Sequence, residues 1–445
     1  MDVSKLTNVK CGLDETKINI IKFSNSNTIN ENSKFIGFPI TNKNPICYDN
    51  PLDSNPLENF VSRNLININN QEMLNILNNC NLPEIIIDYS KNNFGEMIIN
   101  LRFNKSLSEE RKKNEKNSNP YSNNILILYI DSVSRNNALR QLKKTTNFFN
   151  KFMKYKGDFN FKFQSYNFHS FQFFKYHSFL GYTPGNYPII FYGNERLEIK
   201  VRITKYLKEN GYITGYTNDL CHREPTPTGH KMNQSEVCDH EFIICDPNMK
   251  NQGTFTKRCL YNKLSIEQQI EYANQFWRKY KNNRKFFSLI SNDGHEGTLE
   301  MLKYDDEVIY NFINNLYNDN LLKNSAVLLI SDHGNSVPSL YFFNEFYNIE
   351  KHLPMFFLIM NDRENISYNL QYQKLYKNQQ TFITAYDIYN TIGNIIYGDE
   401  YDLIKNKSEF FDTLKSPLGI SLFKEIDQKS RNPNKYQNMV KNVCK

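Results

Sequence analysis

The sequence contains no long hydrophobic run. Every uninterrupted apolar stretch is far shorter than the ~20 residues that a membrane-spanning helix needs, so we expect no membrane span in this chain. The first residues, MDVSKLTNVKCGLDETK, are polar and lack the apolar segment of a signal peptide. Taken alone, these two absences would place the protein in the cytosol.

The chain also lacks a dense cluster of charge of one sign. Its net charge of +7 is spread over 445 residues, and the short segment ERKKNEKN at 110–117 is typical of a solvated linker. We therefore expect no nucleic acid as a partner, because such partners select concentrated basic surfaces. A hydrophobic content of 39% is typical of a globular protein with a sizeable core.

The eight cysteines include no CxxC pair, which argues against a zinc ribbon. Four of the eight fall between Cys221 and Cys259, and an even, clustered set is typical of disulfide bonds in an oxidising compartment. The alternative is eight buried thiols. We expect an extracellular or secretory-pathway lumenal location, with the signal or anchor missing from this sequence. Four sequons would suit a glycoprotein, although chance accounts for that number in so Asn-rich a chain: Asn104, Asn233, Asn365 and Asn406.

The pattern of apolar residues changes near residue 120. Residues 1–120 are rich in Asn and Pro, with short strand-like segments at 84–89 and 97–103, and predict an irregular, strand-containing N-terminal region that ends in a polar linker. From 121 to 430, short apolar runs alternate with amphipathic segments, which predicts an α/β domain with a largely parallel sheet. A basic C-terminal tail follows at 431–445. The clearest predicted elements are strands at 125–130 and 353–361 and helices at 199–212, 265–283, 305–320 and 381–398.

Three predicted strands end in residues that favour hard cations. They are followed by Asp131, by the pair Asp293 and His295, and by Asp332–His333. Ligands of such sheets gather at the carboxyl ends of the strands, and carboxylate oxygens with imidazole nitrogens are divalent-metal ligands. Each residue alone has a plainer interpretation, since an Asp after a strand is most often a helix cap. Together they predict a metal site.

A hydroxyl nucleophile is available in the segment HSFLGYTPGNYPIIFYG at 177–193. Thr183 lies there in a turn flanked by Gly and Pro, ahead of an apolar stretch that can start a helix. A metal site for hydrolysis or group transfer needs such a nucleophile. The alternative role for Thr183 is a helix cap.

In this order, IDSVSR, the Thr turn, LKENGYITGYTND, SDHGN and EKHLPMFFLIM resemble the sulfatase-like branch of the alkaline phosphatase superfamily. More closely, the chain is similar to animal extracellular proteins catalogued only as a domain of unknown function. The resemblance covers roughly residues 45 to 430. It implies an α/β/α sandwich that hydrolyses or transfers phosphate or sulfate esters.

The resemblance also implies roles for individual residues. Asp131, Thr183, Asp332 and His333 match the positions that hold one divalent ion, and Thr183 matches the nucleophile. His295 matches a histidine that contacts the ester or a second metal. This set of three oxygens and one nitrogen does not choose between Zn²⁺, Mn²⁺ and Ca²⁺.

This sequence departs from the two-metal relatives in two places. They carry an Asp four residues before the histidine matched by His295, where this chain has Ser291, and Asp293 lies only two residues before it. They also need a late histidine, for which His352 is the candidate in place. We therefore expect one metal, and keep Asp293 and His352 as candidates for a second metal or a substrate contact. The formylglycine-forming Cys of true sulfatases is absent.

The sequence predicts one function and leaves two alternatives open. The first expectation is a divalent-metal-dependent hydrolase or transferase acting on a phosphate or sulfate ester, carried by a glycan or a lipid. A non-catalytic extracellular binding protein could keep the same ion for its fold alone. A cytosolic phosphomutase-like enzyme would fit the polar start of the chain. Substrate specificity is expected in two loops, at 219–262 and 336–352.

Overall fold

The structure is a computed structural model, and it describes the following residues: 84–88, 96–101, 103–115, 119–153, 168–193, 203–219, 237–243, 259–260, 263–295, 299–335, 345–361, 370–403, 419–427 and 431. The chain divides into two units. One comprises Met1–Asn104, Thr217–Arg223 and Phe242–Lys279, and the other comprises Lys105–Tyr216, Glu224–Glu241 and Tyr280–Lys445. The second unit carries the residues of the candidate site.

The described strands are β1 Glu84–Asp88, β2 Glu96–Asn100, β3 Asn124–Ile130, β4 Phe168–Gln172, β5 Ile213–Asn218, β6 His240–Ile243, β7 Cys259–Leu260, β8 Lys263–Leu264, β9 Lys285–Ser291, β10 Ser325–Ile330 and β11 Phe356–Asn361. The described α-helices are α1 Lys105–Asn114, α2 Arg135–Gln141, α3 Lys143–Asn150, α4 Tyr187–Tyr192, α5 Ile203–Glu209, α6 Ser265–Lys279, α7 Asp306–Asn318, α8 Glu345–His352, α9 Leu370–Asn378 and α10 Ala385–Tyr397.

Seven of the described strands form one mixed sheet, in the order β4-β11-β10-β3-β9-β5-β6. The central strand β3 pairs in parallel with both β10 and β9. On the β10 side, β11 and β4 add two antiparallel pairings. Every residue of β3, β9, β10 and β11 is buried, which is why apolar residues fill consecutive positions in these strands and do not alternate with polar ones.

Helices cover both faces of this sheet. The ring of Tyr129 on β3 packs against Tyr187 of α4, with ring centroids 5.4 Å apart. The next residue back, Leu128, points to the opposite face, and the strand register carries that face across β10 to Phe357 of β11. Phe357 packs against Phe149 of α3 at 5.6 Å. Because α3 and α4 lie on opposite faces, the predicted α/β/α arrangement is confirmed.

Most predicted elements agree with the observed ones to within a few residues. The helix predicted at 305–320 is α7, and that at 381–398 is α10, which begins with a capping box between Thr384 and Asp387. The strand-like segments at 84–89 and 97–103 form the antiparallel hairpin β1–β2. Strand β4 was not predicted, because FHSFQ has neither the length nor the apolar run that marked the other strands.

The predicted solvated linker around residues 110–117 is wrong for most of its length. Helix α1 runs through Lys105–Asn114, and its Arg111 is buried, with Nη2 donating to Asp239 Oδ1 at 2.6 Å. Ser108 also donates to Asn283 Oδ1 at 2.9 Å. The helix packs through polar groups, so the apolar periodicity that predicts helices was absent from its sequence.

The predicted specificity loop at 336–352 is partly helical. Helix α8 occupies its second half and ends at His352, two residues before Pro354, which cannot continue a helix. The other predicted loop, 219–262, falls largely outside the described residues. In the part of the chain that the structure describes, no helix is long and apolar enough to cross a membrane.

The disulfide prediction stays a prediction. Cys238 is buried, and the side chains of the other cysteines lie outside the described residues. Among the sequons, Asn104 is described and partly exposed, whereas Asn233, Asn365 and Asn406 lie outside the described residues.

Candidate active site

The end of β3 turns sharply to place Asp131. Ser132 directly after it has a φ of +62°, in the left-handed region that non-glycine residues seldom adopt. The Ser132 hydroxyl donates to Asp131 Oδ1 at 3.1 Å, and its backbone N–H points to Asp332 Oδ1 at 3.4 Å. The cap of α2 is Ser134, which accepts from the N–H of Asn137. Asp131 therefore has a role other than helix capping.

The end of β10 is shaped by hydrogen bonds of Ser331. Its hydroxyl accepts from the N–H of Val133 at 2.9 Å and donates to the carbonyl of His333 at 2.9 Å, which links the two neighbouring strand ends. A Cβ at Gly334 would overlap the carbonyl oxygen of Glu350. Glycine is thus required where the Asp-His loop passes the end of α8.

Thr183 opens a short 3₁₀ turn ahead of α4. The helix itself begins at Tyr187, so the capping position is Asn186 and not Thr183. The Asn186 side-chain amide donates to the carbonyl of Tyr182 at 3.0 Å and holds the turn. Thr183 is half-buried between two exposed neighbours, Tyr182 and Pro184, so its hydroxyl faces the interior while the turn remains open to solvent.

These three loops bring four side chains into contact. Thr183 Oγ1 lies 3.2 Å from both oxygens of Asp131 and 3.1 Å from Nε2 of His333. That nitrogen lies 3.6 Å from Asp131 Oδ1 and 3.4 Å from Asp332 Oδ2. Among the described residues, Asp131, Asp332 and His333 form the group of acidic, His and Cys side chains whose ligand atoms all lie within 4.8 Å of one another.

The spacing of these atoms fits a divalent cation. Four donors in a tetrahedron around Zn²⁺, each at ~2.0–2.2 Å, lie about 3.3–3.6 Å apart. Neighbouring oxygens around a larger Ca²⁺ at ~2.4 Å lie about 3.4 Å apart in an octahedral set. The spacing therefore suits either ion and does not select between them.

Two details of the donors agree with this fit. Oδ2 of Asp332 is fully buried and accepts no hydrogen bond from the described residues, although a buried carboxylate oxygen normally requires a partner. Nδ1 of His333 lies 2.6 Å from the carbonyl oxygen of Gly334. That carbonyl requires the proton on Nδ1, which leaves the lone pair of Nε2 directed at Thr183 and the carboxylates.

The electrostatics of the two carboxylates, Asp131 and Asp332, also favour a cation between them. Burial and the neighbouring charge of Asp332 raise the pKa of Asp131 well above its usual range, although hydrogen bonds from Ser132 and Thr183 oppose the shift. Two adjacent buried carboxylates repel each other when both are ionised. A divalent cation between them would remove that repulsion and keep both in the form that binds metal.

The remaining predicted site residues lie outside this group of ligand atoms. The loop of Asp293 and His295 runs beside Asp131. Gly294 lies so close to Asp131 that an added Cβ would overlap the Asp131 carbonyl oxygen. Asp293 is buried and His295 is partly exposed. Ser291 accepts from the N–H of Asp293 at 3.2 Å and so shapes that loop.

His352 is buried at the end of α8. Its Nδ1 lies 3.3 Å from the hydroxyl of Ser178, five residues before Thr183, and it is not a member of the group with Asp131, Asp332 and His333. Neither Asp293 nor His352 adds a ligand to that group.

Sequence reasoning missed an ion pair behind the site. Glu350 of α8 is buried and binds Arg140 of α2 through both carboxylate oxygens at 2.9 Å, while Ser134 donates to it at 2.8 Å. Burial alone would raise the pKa of Glu350, but the Arg140 and Ser134 hydrogen bonds outweigh it and lower that pKa. The pairing spans 210 residues, so local sequence patterns held no signal for it.

The solved structures that this chain is similar to include three from bacteria. The chain is similar to the periplasmic domain of EptC from Escherichia coli in complex with Zn (13% identity, TM-score 0.41, covering 64% of this chain and 84% of that one). It is also similar to the periplasmic domain of phosphoethanolamine transferase EptC from Campylobacter jejuni (14%, 0.38, 64% and 95%). The third is the lipoteichoic acid synthase LtaP from Listeria monocytogenes (14%, 0.42, 72% and 81%).

No curated protein matches this sequence. One family profile matches residues 17–167 and 199–437, and the unmatched segment between them contains Thr183. The matched residues make up well over half of the chain. The chain therefore belongs to the family described as "Protein of unknown function (DUF229)".

Proposed function

We propose that the protein is a divalent-metal-dependent hydrolase or transferase of phosphate or sulfate esters, with Thr183 as its nucleophile. The observation that carries this proposal is the position of Thr183 Oγ1, which is 3.1–3.2 Å from Asp131 and His333. A hydroxyl that served only the turn would have no reason to lie between a buried carboxylate and a buried imidazole. Phosphate and sulfate esters follow from the resemblance to the alkaline phosphatase superfamily.

Asp131, Asp332 and His333 would hold the ion together with Thr183. The bound cation would lower the pKa of a neighbouring hydroxyl and neutralise negative charge on the ester. Asp131 accepts the hydrogen bond of the Thr183 hydroxyl and orients its oxygen. Ser132 and Ser331 hold the two strand ends so that Asp131 and Asp332 keep their spacing.

The reaction then has two steps. Thr183 Oγ1 loses its proton and bonds to the phosphorus or sulfur while the ester's alcohol leaves, which forms a covalent Thr183 ester. Water completes a hydrolysis by displacing Thr183, and an acceptor alcohol completes a transfer. His295, at the end of the loop beside Asp131, is proposed to contact the charged ester oxygens during both steps.

Three variants test the proposal on an aryl phosphate and an aryl sulfate. Thr183→Ala removes the nucleophile, and Asp131→Asn weakens binding of the metal ion. Each should lower kcat/KM by about 10³-fold or more, as removal of a group needed in the transition state does. Thr183→Ser keeps a hydroxyl and should retain most of the activity. Wild-type turnover by both Thr183→Ala and Asp131→Asn would refute the catalytic role.

Metal content provides a second measurement on the same variants. Asp332→Asn should lose the bound ion, and the melting temperature should no longer rise when Zn²⁺ or Mn²⁺ is added, because a ligand that binds only the folded state stabilises it. Tight metal binding by the wild type without turnover of any ester in a wide panel would favour the non-catalytic binding protein. In that case the ion serves the fold alone.

We also propose that the protein works in an oxidising compartment, on an ester carried by a glycan or a lipid. The basis for the compartment is the even, clustered set of cysteines in the sequence. Mass spectrometry without reduction would count the disulfide bonds directly. Eight free thiols would contradict the proposal and favour the cytosol.

A further inference from the structure

Lys351 lies between two of the three loops that build the candidate site, those of His333 and of Thr183. The N–H of Gly334, directly after His333, donates to the Lys351 carbonyl at 2.8 Å. The next residue, His352, accepts from the N–H of Ser178 at 3.1 Å. The backbone of Lys351 is therefore held on one side by the Asp-His loop and on the other by the segment that leads to Thr183.

The Lys351 side chain extends across Gly181, two residues before Thr183. A Cβ at Gly181 would overlap Cε of Lys351 and lie 3.2 Å from its Nζ. The absence of a side chain at Gly181 thus leaves the space that the lysine occupies. Lys351 is only partly buried, and its ammonium group lies close to the segment that leads into the Thr183 turn.

The charges of the candidate site indicate what the Lys351 ammonium group could bind. Asp131 and Asp332 would bring two negative charges, which a bound divalent ion would balance. A phosphate monoester adds nearly two negative charges at neutral pH. An ester bound to the ion alone would leave that charge uncompensated, and a nearby ammonium group offsets it.

We propose that Lys351 is a specificity-determining residue that binds the anionic ester group and favours phosphate over sulfate. The inference rests on the proposed function, since it assigns a substrate contact at the same site. The ammonium group would donate hydrogen bonds to the non-bridging oxygens, and phosphate monoesters, which carry more charge than sulfate esters, would gain more from it. Gly181 acts with Lys351 because it leaves the lysine its path to the site.

Four variants separate this contact from general effects of charge. Lys351→Met removes the ammonium group at nearly constant length, and Lys351→Arg keeps a positive charge. Gly181→Ala leaves Lys351 in the chain but forces its Cε to move. Lys175→Met removes a charge from an exposed lysine of the same unit and serves as the control.

The first measurement is the affinity of the Mn²⁺-loaded protein for inorganic phosphate and for sulfate, by calorimetry. We expect Lys351→Met and Gly181→Ala to weaken phosphate binding by about 10- to 100-fold, which corresponds to a charge-assisted hydrogen bond. Sulfate binding should weaken less. Lys351→Arg should keep most of the affinity, and Lys175→Met should keep all of it. In turnover, KM should rise more than kcat falls.

The second measurement uses the wild type alone, in case a variant folds poorly. Phosphate should protect Lys351, but not Lys175, from acetylation detected by peptide mass spectrometry. Wild-type phosphate affinity in folded Lys351→Met, or no protection of Lys351, would overturn the inference while leaving Thr183 chemistry intact. Phosphate binding without turnover would refute the proposed function but not the contact. If the wild type binds neither anion, both fail.

Discussion

At the scale of single residues, the candidate site depends on close backbone approach. Ser132 adopts a left-handed conformation next to Asp131, and Gly294 and Gly334 each lie where a Cβ would overlap a backbone oxygen. A left-handed conformation is costly for a residue other than glycine, and it persists where the surrounding structure requires it. This close approach accompanies a site in which ligand atoms of Asp131, Asp332 and His333 lie within 4.8 Å of one another.

Gly294→Ala tests this dependence directly. The added Cβ would overlap the carbonyl oxygen of Asp131 and Cγ2 of Val133, so either the loop or the strand end must move, at a cost of about 1–3 kcal/mol of stability. We expect metal affinity to fall at least tenfold, measured by competition with a chromogenic chelator. Gly181→Ala is the matched control, because its new methyl group meets a flexible lysine end and should leave metal affinity unchanged. Equal metal affinity in Gly294→Ala and wild type would contradict the prediction.

At the scale of secondary-structure elements, polar contacts between distant segments hold the helices in place. Helix α8 is linked to α2 by the pair of Glu350 and Arg140, and helix α10 is linked to the C-terminal segment by Asp387 and Arg431. Asp387 also accepts from the N–H of Ile420 at 2.7 Å. Arg431, the first residue of the predicted basic tail, is therefore buried against α10 and not solvated.

Arg431→Met should strongly destabilise the protein. It leaves the buried Asp387 carboxylate without its cation, and breaking a buried ion pair in this way costs about 3–5 kcal/mol. The urea midpoint should fall accordingly, and truncation after residue 430 should have a similar effect. The double variant with Asp387→Asn should recover part of the loss, because the unpaired charge is gone. A urea midpoint equal to that of the wild type in Arg431→Met would show that the pair contributes nothing.

At the scale of the whole molecule, buried ionisable groups couple stability to pH. His240 on β6 is buried, with Nε2 2.8 Å from the hydroxyl of Tyr280. Burial lowers the pKa of His240 from 6.5 to about 4, against the opposing charge of Asp239. Between pH 6.5 and 4, His240 is therefore largely protonated in the unfolded chain and largely neutral in the folded protein.

Stability should consequently fall as the pH drops from 6.5 to 4, by about 3 kcal/mol from this group. His240→Phe cannot titrate and should remove that share of the pH dependence of the unfolding free energy in urea. Tyr280→Phe removes the same hydrogen bond but leaves the histidine, so its pH dependence should remain. An identical slope in His240→Phe and wild type would contradict the assignment.

Much of the architecture was predictable, because the signals that set it are local. The apolar run at 125–130 predicted the buried central strand, and the apolar spacing of 305–320 and 381–398 predicted α7 and α10. Helix α1 was not predicted, since it is held by contacts such as that of Arg111 with Asp239, 128 residues away. Strand β4 was missed because its pairing with β11, and not its own composition, makes it a strand.

The sequence by itself determined the α/β class and the residue types at the strand ends, since the periodicity of apolar residues and the chemistry of Asp, His and Thr can be read along the chain. Only the tertiary structure decided which of them meet. It brought ligand atoms of Asp131, Asp332 and His333 within 4.8 Å of one another and placed Thr183 Oγ1 3.1–3.2 Å from Asp131 and His333. It also kept Asp293 and His352 out of that group and laid Lys351 across Gly181. The reason is physical: those positions depend on loop conformations and on hydrogen bonds between residues about 50 to 200 positions apart, for which the local sequence holds no pattern.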